Sequence, residues 1–598
     1  MDYEPFLIGN FRFGLEEGLQ PWLLPQDAWA TLSNGYLRRG VLCNRNGYTE
    51  FDRMVHAIDD EAIGNLGSTN YTGTLSNIPI RAGDLSFTDG TLDITDDGDG
   101  TLSGDGTGTI VYTTGVYDIT FSGVTTGAVT ADYDFYPEYS IVGILPYVNL
   151  TTGDTDLMVF DEKRCAQYDT TNAKLEDVST ADTWAGGDYD FFHGCNARNY
   201  LYATNNTDQI YRWNGAAWAA FDIDIDGAGA ANDVDTCLMI FYYKERLVLL
   251  RPTESGTLYP QRARWCEPAD HTDWTNDGYV DCPTGDWIMT AGFVGEDLVV
   301  WFDKSTWRLR YTGDSTLPFR WERIDTSKGS FSPFSGVING DLMIAMGSTN
   351  ILETDNLKVY EIDDKIPDAF ERLDQSLFDK VFSIRVPNLK QTLISYPEPD
   401  ESGNTASFCY NYDDKAWSIY DYGFNVFGEF IESSSADDWD EIDYDWDDFD
   451  FAWIAASRDA GYPLILAGDA SGYVWEINYG GSDDDTAIAF EAYSGRWNPY
   501  LKQGKKARFG WVDFYVDKDS DVSMTVDFYS HLNGKEVLAV TQTVTFGEAD
   551  DTADRVWVRA DNGSIGDFHR VKLTNSAVNE TIKIHAMKIY MKPAGRLS

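Results

Sequence analysis

The 598-residue sequence contains no long apolar run. No stretch approaches the roughly 18 apolar residues that a membrane-spanning helix needs. The start, Met1-Asp2-Tyr3-Glu4-Pro5, also lacks the positively charged and apolar regions of a secretory signal peptide. We therefore expect no membrane insertion and no export by a standard signal.

Positive charge is also scarce. Lys and Arg number 45 against 98 Asp and Glu, so the formal net charge is -53. This excess opposes attraction to phosphate backbones and anionic membranes, and a conventional nucleic-acid-binding protein is not expected. Two interpretations of the charge stay open: it serves solubility alone, or it lines a channel through which DNA slides without sticking.

The cysteines are few and scattered, and no two of them form a CxxC pair. They are Cys43, Cys165, Cys195, Cys237, Cys266, Cys282 and Cys409. An odd, dispersed set is typical of reduced and mostly buried thiols, which fits assembly in a bacterial cytoplasm. A single bridge between Cys266 and Cys282 remains compatible with the spacing.

Catalytic motifs are missing as well. The sequence has no GxSxG, no GxxxxGK[ST] and no GxGxxG after a strand-like run. None of the six histidines is spaced from another like a metal ligand: His56, His193, His271, His531, His569 and His585. We predict no catalytic and no cofactor-binding residue, no cofactor, and a protein that is not an enzyme.

One segment matches a metal-binding pattern. The alternate carboxylates and the glycine of a calcium loop occur in Asp222-Ile223-Asp224-Ile225-Asp226-Gly227, and Asp233 stands at the twelfth place of that loop. A strand with Asp outward and Ile inward, ending in an Asp-Gly turn, explains the same residues. No metal ligand is therefore assigned, and calcium binding at these aspartates stays open.

What the sequence does contain favours β-structure. Aromatic residues make up 14%, and short apolar runs such as Leu298 to Phe302 end at charged or turn residues. A chain of this length exceeds one hydrophobic core. The prediction is an all-β protein with a β-propeller, an inserted small β-sandwich and a C-terminal β-sandwich.

Four segments differ in amino-acid composition and in the pattern of apolar and polar residues. Residues 1–61 read as an N-terminal extended arm that ends in a hairpin, with Asn46-Gly47 as its turn. Residues 62–138 are rich in Gly, Thr and Asp and form the inserted sandwich, in which Tyr117 to Phe121 alternate. Residues 485–598 form the C-terminal sandwich, with alternation in Val522 to Tyr529 and Ile582 to Met591.

Residues 139–484 repeat a unit of strand, polar turn and strand carrying an aromatic residue. Tyr200 to Thr204 with Gln209 to Trp213, and Pro463 to Asp469 with Gly472 to Ile477, are examples. Hairpins that recur every ~40 to 50 residues indicate a propeller, and this length accommodates roughly six to eight blades. Two or three unrelated sandwiches in series are the alternative.

An acidic segment carries Trp439, Trp446 and Trp453 at intervals of seven residues. Its dense like charge argues against a coiled coil, so we expect an acidic loop pinned by its tryptophans. It would line a channel, meet a basic partner, or serve only as a solvated connector between blades.

Several motifs resemble tail-nozzle proteins of short-tailed bacteriophages, the family that includes tail tubular protein B and packaged-DNA stabilisation proteins. The N-terminal match covers Asn10 to Leu15, Leu24 to Ala28 and Leu37 to Tyr48, although Asn46 stands where the family often has Pro. Further matches are Arg264-Trp265-Cys266 with Asp273-Trp274, Gly295 to Phe302, Lys328-Gly329-Ser330 and the tandem Trp-Asp segment. A separate resemblance is to a small β-sandwich module of phage tail and baseplate proteins, and it covers Tyr71 to Leu75, Thr95 to Gly100 and Gly104 to Tyr117.

The resemblance implies a structural virion protein, assembled in the bacterial host cytoplasm and located in the phage tail. Such proteins form a ring, commonly of six copies, below the portal and the adaptor, which retains the packaged genome and conducts DNA during ejection. The implied partners are further copies of the chain, adaptor or head-to-tail connector proteins, tail fibres or spikes, and double-stranded DNA that passes without sequence-specific binding. For so acidic a ring, higher salt or divalent cations are expected to favour assembly.

Two other functions stay open. The first is a receptor-binding tail adhesin, against which the sequence offers no coiled-coil heptads and no triple-β-helix repeats. The second is a propeller enzyme that degrades polysaccharide, since a pair of carboxylates is all that such an enzyme requires. Asp469 to Trp475 is similar to the Asp-box turns of sialidase propellers, but it occurs once.

Overall fold

The structure is a computed structural model, and it describes residues 3–179, 181–227, 233–275, 278–431, 463–547 and 554–597. Strands make up most of these residues. The helical elements among them are three short 3-10 turns at Ala369–Glu371, Gln375–Lys380 and Leu501–Gln503. The described part of the chain contains no helix with the length and apolarity that a bilayer span requires.

The first part of the chain forms six strands. They are β1 (Glu4–Ile8), β2 (Gly14–Leu15), β3 (Ala28–Ser33), β4 (Gly35–Arg38), β5 (Val41–Asn44) and β6 (Gly47–Arg53). Strands β4 and β5 form a hairpin. Its turn is Arg39-Gly40, where both residues have positive φ. The expected turn at Asn46-Gly47 is wrong, because this dipeptide joins β5 and β6, which belong to different sheets.

The inserted module is one eight-stranded sheet with the order β7-β14-β9-β10-β11-β12-β13-β8. Its strands are β7 (His56–Gly64), β8 (Asn70–Thr74), β9 (Ser86–Thr88), β10 (Asp93–Asp96), β11 (Thr101–Gly104), β12 (Gly106–Val111), β13 (Val116–Phe121) and β14 (Val129–Phe135). The end strands β7 and β8 lie against each other, so the sheet is a nearly closed barrel. Phe87, Ile94 and Ile119 fill its interior.

The first three propeller sheets are antiparallel meanders. Their strands are β15 (Ile141–Val148), β16 (Thr155–Asp161), β17 (Cys165–Asp169) and β18 (Lys174–Asp177); β19 (His193–Ala197), β20 (Tyr200–Thr204), β21 (Tyr211–Trp213) and β22 (Trp218–Ala220); and β23 (Val234–Tyr243), β24 (Arg246–Glu254), β25 (Thr257–Leu258), β26 (Arg262–Trp265) and β27 (Tyr279–Asp281).

The next two sheets repeat the pattern, and a further meander follows them. The strands are β28 (Ile288–Val294), β29 (Asp297–Phe302), β30 (Thr306–Tyr311) and β31 (Phe319–Asp325); β32 (Val337–Asn339), β33 (Leu342–Met346), β34 (Ile351–Thr354) and β35 (Val359–Glu361); and the meander β36 (Phe382–Val386), β37 (Gln391–Tyr396), β38 (Ala406–Asn411) and β39 (Ala416–Tyr420). The first strand of the meander lies against β32.

The sixth small sheet closes the propeller. It contains β40 (Val426–Phe430), β41 (Leu464–Gly468), β42 (Tyr473–Tyr479), β43 (Ser482–Asp483) and β44 (Thr486–Ala487), and it takes β6 from the start of the chain. Strand β40 lies between β36 and β15, the inner strand of the first sheet. This close approach requires glycine, because a Cβ at Gly428 would lie 2.4 Å from Cγ2 of Ile144.

Asp and Asn side chains build many of the propeller turns. Oδ1 of Asp161 accepts hydrogen bonds from the Lys163 and Arg164 amides at 2.7 Å each. Asp314 and Asp355 accept in the same way from the amides two and three residues ahead. These backbone bonds hold the pKa of Asp314 below its ordinary value. Some of the many aspartates therefore stabilise turns by accepting hydrogen bonds from backbone amides.

The C-terminal sandwich contains the longest strands. They are β45 (Phe490–Ser494), β46 (Lys505–Asp517), β47 (Asp519–Leu532), β48 (Lys535–Phe546), β49 (Arg555–Asp561), β50 (Ile565–Gly566), β51 (Phe568–Asn575) and β52 (Lys583–Arg596). One sheet has the order β4-β5-β52-β46-β49 with β1 on β52 and β50 on β46. The other runs β36-β37-β38-β39-β3-β45-β51-β47-β48, with β2 on β3.

Phe509, Phe514 and Phe528 are fully buried between these two sheets. The expected extended arm is thus folded into the body: β1, β4 and β5 extend one sheet of the sandwich, β3 the other, and β6 the sixth propeller sheet. The predicted fold class is confirmed as all-β, with a propeller and a C-terminal sandwich. The inserted module differs from the expected small sandwich, because its strands form one nearly closed sheet and not two facing sheets.

Candidate functional site

The candidate site is the outer face of the sandwich sheet that contains β46, β49 and β52. Successive side chains of a strand point to opposite sides, and on β46 every second residue is buried from Val512 to Val516. Trp511, Asp513 and Tyr515 therefore lie on the outer side, with Asp517 at the end of the strand. Aromatic and acidic side chains alternate along the centre of this face.

Both aspartates of β46 on this face, Asp513 and Asp517, are paired with basic side chains on neighbouring strands. Arg559 of β49 donates to both carboxylate oxygens of Asp513, at 2.7 and 3.2 Å. Asp517 accepts from Arg555 at 3.0 Å and lies 2.7 Å from Nε2 of His585. Burial works to raise the pKa of Asp517, but the bonds from His585 and Arg555 outweigh it, so this pKa lies below its ordinary value.

The aromatic residues stack across the same strands. The rings of Trp511 and Tyr590 lie 4.5 Å apart and those of Tyr515 and Trp557 lie 5.0 Å apart, both nearly parallel. The Tyr3 ring also contacts Trp511, with ring centroids 4.9 Å apart and the planes tilted. Trp557 is 51% exposed. Half-exposed aromatic side chains beside charged groups are typical of protein contact surfaces.

One end of the sheet is rich in cations, of which Lys506 pairs with Asp567 at 3.6 Å. Cross-strand register pairs Lys505 with Arg596 and Arg508 with Lys592. Lys502 lies in the exposed 3-10 turn just before β46. We call Lys502, Lys505, Arg508, Lys592 and Arg596 the cationic end. None of them forms an ion pair with a residue that the structure describes. The nearest aromatic contact is that of Lys592, whose Nζ lies 4.4 Å from the Tyr3 ring centroid.

The possible calcium loop is only partly assembled. Ligand oxygens of Asp224, Asp226 and Asp233 lie within 4.8 Å of one another. Asp222 does not join them, because its Oδ1 accepts from Nε2 of Gln209 at 2.6 Å. The Ile225 amide donates to Asp233 at 2.9 Å, so a backbone N–H already serves this cluster. The four-aspartate ligand set is therefore not brought together.

The six histidines lie on five different strands and one loop. His56 is buried against Asp161, with Nε2 to Oδ2 at 2.6 Å. Burial lowers the pKa of His193, His271 and His569 to about 4 in each case. Within the described ranges, the one group of three or more His, Cys, Asp or Glu close enough for a shared metal ion is the aspartate cluster.

Two further candidates have structural roles, and a third lies outside the description. Asp469 closes the turn between β41 and β42 by accepting from the Ser471 and Tyr473 amides and from Nε1 of Trp475. All seven cysteines are unpaired, so the bridge between Cys266 and Cys282 is not formed. The acidic segment with Trp439, Trp446 and Trp453 lies outside the described residues.

A cleft of about 270 Å³ opens beside the third propeller sheet. It is lined by Arg246, Trp265, Glu267, Asp273, Trp274, Gly278, Ser315 and Thr316. Its tryptophans are 4% and 1% exposed, so their ring faces are not available for stacking on a ligand. Nη1 of Arg246 donates to the Cys266 carbonyl at 2.6 Å. Trp265, Asp273 and Trp274 belong to motifs noted in the sequence, but the cleft was not predicted, because its lining residues come from strands β24 and β26 and from loops that are distant in sequence.

Comparison with known proteins leaves the chain without a family. No family model matches it, and no curated protein matches it. Among solved structures, the computationally designed Ika8 protein has 8% identity and a TM-score of 0.29, over 68% of this chain and 98% of its own. The extracellular domain of a hybrid two-component system from B. thetaiotaomicron has 9% identity and a TM-score of 0.28, over 82% and 47%. BBS1N, in complex with ARL6DN, has 9% identity and a TM-score of 0.32, over 57% and 93%.

Proposed function

We propose that this chain is a structural protein of a short-tailed bacteriophage. In this proposal its copies form the distal nozzle ring around the DNA exit channel, retain the packaged genome and conduct DNA during ejection. The proposed partners are other copies of the chain, the adaptor or head-to-tail connector, and tail fibres or spikes. The proposed location is the tail of the virion, after assembly in the host cytoplasm.

The observation that carries the proposal is the location of the negative charge. Residues 485–598 contain 15 Lys and Arg and 15 Asp and Glu, so the whole formal charge of -53 belongs to residues 1–484. The propeller and the inserted module lie in that acidic part. Because DNA phosphates are repelled by carboxylates, an acidic wall lets a duplex pass without the contacts that would hold it.

Strand pairing between segments that are distant in sequence supports a role as a part of the particle that resists mechanical force. Strands β1 and β5 pair with β52 near the other end of the described chain. Strand β6 completes the sixth propeller sheet by pairing with β42. Opening the sandwich or the propeller at these places requires the loss of whole strand ladders, which suits a part that must resist the packaged genome.

Cryo-electron microscopy of the intact particle tests the proposal. A short peptide tag in the turn Asp97-Gly98-Asp99-Gly100, which is exposed at the tip of a hairpin, marks the chain in the density. We expect the chain as a ring on the tail axis below the portal, with tag density at every copy. Density away from the axis contradicts the nozzle function and favours a peripheral adhesin, whereas a particle without the chain contradicts both functions.

The cleft beside the third sheet is the observation that favours the second function, a polysaccharide-degrading enzyme. Glu267 and Asp273 both line it, and paired carboxylates are the catalytic groups of most glycoside hydrolases. In our proposal the purified chain leaves host polysaccharide at its original length. Shortening by the wild type that is lost in Glu267→Gln and kept in the exposed control Glu296→Gln would establish the enzyme instead.

A further inference from the structure

The cationic end is unusual for this chain. Asp and Glu outnumber Lys and Arg by 98 to 45, yet five cations at one end of the outer sheet have no described carboxylate partner. Two like-charged pairs, Lys505 with Arg596 and Arg508 with Lys592, lie directly opposite each other in the ladder. Like charges in such positions destabilise a sheet, so the arrangement costs stability in the isolated chain.

In the third propeller sheet, by contrast, buried cations are paired with carboxylates of the same copy. Arg262 and Arg264 both bond to Glu254, at 2.9 and 2.7 Å, and Asp281 binds the other side of Arg262. The chain therefore has carboxylates available for pairing, both for these buried cations and for the more exposed Arg555 and Arg559 of the sandwich. An unpaired group of five is complementary to an anionic surface that is not part of the same copy.

We infer that the cationic end binds the acidic part, residues 1–484, of a second copy of this chain. This inference rests on the proposed ring, because a contact between two different surfaces of identical subunits repeats head to tail and closes into a ring when the rotation allows. All of the net negative charge that such a contact needs lies in residues 1–484.

Apolar neighbours favour a protein partner over a phosphate backbone. Ile565 of β50 lies opposite Arg508 in the ladder and is 43% exposed. Leu501, next to Lys502, is 39% exposed. Exposed aliphatic side chains among cations bury apolar area against another protein, whereas a nucleic-acid backbone offers them only sugars and phosphates.

The inference predicts a maximum in the salt dependence of assembly. At 0.01 M salt the screening length is about 30 Å, so the repulsion between two acidic copies acts before they touch. At 0.1 M it falls to about 10 Å, which weakens that repulsion while ion pairs at contact distance persist. At 1 M it is about 3 Å and the contact pairs are weakened too. Self-association is therefore greatest at intermediate salt.

The test compares two double variants with the same change of charge. Arg508→Glu with Lys592→Glu reverses one opposed pair of the cationic end. Lys390→Glu with Lys535→Glu is the matched control, because both lysines are exposed and lie outside the cationic end. Sedimentation velocity across the salt series should show at least about a tenfold weaker self-association for the first variant and the wild-type maximum for the control. A third variant, Arg508→Gln with Lys592→Gln, removes the two charges without reversing them. If its unfolding temperature equals that of the wild type, weaker self-association reflects the lost contact and not a loss of folding.

Zero-length coupling of amines to carboxylates locates the partner surface. We expect intermolecular links from Lys502, Lys505 and Lys592 to Asp or Glu of residues 1–484 in the wild type, at intermediate salt. Equal assembly of the Arg508→Glu/Lys592→Glu variant and the control overturns the inference. So does a wild type that stays monomeric at every salt concentration, or a fluorescent DNA duplex that binds the wild type and not this variant, since the last result assigns the cationic end to phosphates.

The outcomes separate the inference from the proposed function. A ring on the tail axis of the particle, together with unchanged assembly of the Arg508→Glu/Lys592→Glu variant, keeps the nozzle function and removes only this contact. Salt-dependent association through the cationic end, in a chain that lies away from the tail axis, keeps the contact and removes the nozzle function.

Discussion

The propeller and the C-terminal sandwich are both antiparallel β-structure, yet the third propeller sheet and the cationic end of the sandwich place their charged residues in opposite ways. In the third propeller sheet, Arg262 and Arg264 are buried and share Glu254. At the end of the sandwich sheet, Arg508 and Lys592 face each other across two strands. Charges that meet inside one copy contribute to folding, whereas charges left at an edge are available for contact with another molecule.

Arg45 connects the two regions and gives the largest expected effect on stability. It lies between β5 of the sandwich and β6 of the sixth propeller sheet, with its side chain 1% exposed. Its guanidinium donates to both oxygens of Asp483 at 2.7 and 2.6 Å, and to Asp421 and Asn34 at 2.9 and 2.8 Å. We expect Arg45→Ala to lower the free energy of unfolding by about 3 to 5 kcal/mol, because it leaves the Asp483 carboxylate without its cation.

Denaturant unfolding of the full chain measures this change. The control is Lys304→Ala, since the Lys304 side chain is 71% exposed and pairs with Asp303 at 3.6 Å on the surface. That variant should stay within about 1 kcal/mol of the wild type. If both variants unfold at the same denaturant concentration, Arg45 does not join the two regions, and the comparison between them loses its structural link.

Arg45 lies where strands of two different sheets meet, and such long-range contacts are the part of the fold that the sequence alone could not predict. Alternation predicted strands at Tyr117 to Phe121 and Val522 to Tyr529, and the structure contains β13 and β47 there. Alternation reports which side chains share a face, but it carries no information about the partner strand. The pairing of β5 with β52 joins residues more than 500 positions apart, and no local signal specifies it.

The outer face of the sandwich was missed for the same reason. The sequence shows a basic run of Lys505, Lys506 and Arg508, but the contacts of these side chains depend on the strand register. Lys506 pairs with Asp567, whereas Arg508 lies opposite Lys592. The turn at Arg39-Gly40 was also missed, because Asn-Gly is the stronger local hairpin signal. Here β5 and β6 belong to different sheets, and this tertiary arrangement overrides the preference of Asn46-Gly47.

Glu254 tests the internal pairing of the propeller. It is 6% exposed, and its carboxylate accepts three hydrogen bonds from Arg262 and Arg264 at 2.7 to 3.0 Å. Glu254→Gln keeps the shape and removes the charge, so Arg264 loses its carboxylate partner. We expect a loss of about 2 to 3 kcal/mol in the free energy of unfolding.

The matched control for Glu254→Gln lies on the surface of the same propeller. The Glu296 side chain is 86% exposed and pairs with Lys244, so Glu296→Gln should change stability by less than about 0.5 kcal/mol. Thermal and denaturant unfolding of both variants give the comparison. Equal stability of the two would mean that the propeller does not depend on its internal ion pairs, and the contrast with the cationic end would disappear.

Acid sharpens the comparison through a gradual effect, which is the smallest of the series for each pH unit. Burial lowers the pKa of His193 and His271 in the propeller and of His569 in the sandwich to about 4. An unfolded histidine titrates near 6.5, so between pH 6.5 and 4 the unfolded chain binds more protons than the folded chain. Stability from each group is therefore complete above pH 6.5 and is lost as the pH falls toward 4, by at most about 1.4 kcal/mol per pH unit.

Hydrogen exchange followed by mass spectrometry reads the two regions separately across this pH range. His569→Gln should make the sandwich peptides less sensitive to acid and leave the propeller peptides unchanged, whereas His193→Gln should do the reverse. Because carboxylates titrate identically in each variant and the wild type, the difference between slopes isolates the histidine. A sandwich slope that His569→Gln does not change would show that this imidazole gains its proton in the folded state as readily as in the unfolded chain. A change in both regions from either variant would show instead that sandwich and propeller unfold as one cooperative unit, with the strands shared through β3, β5 and β6 as the physical reason.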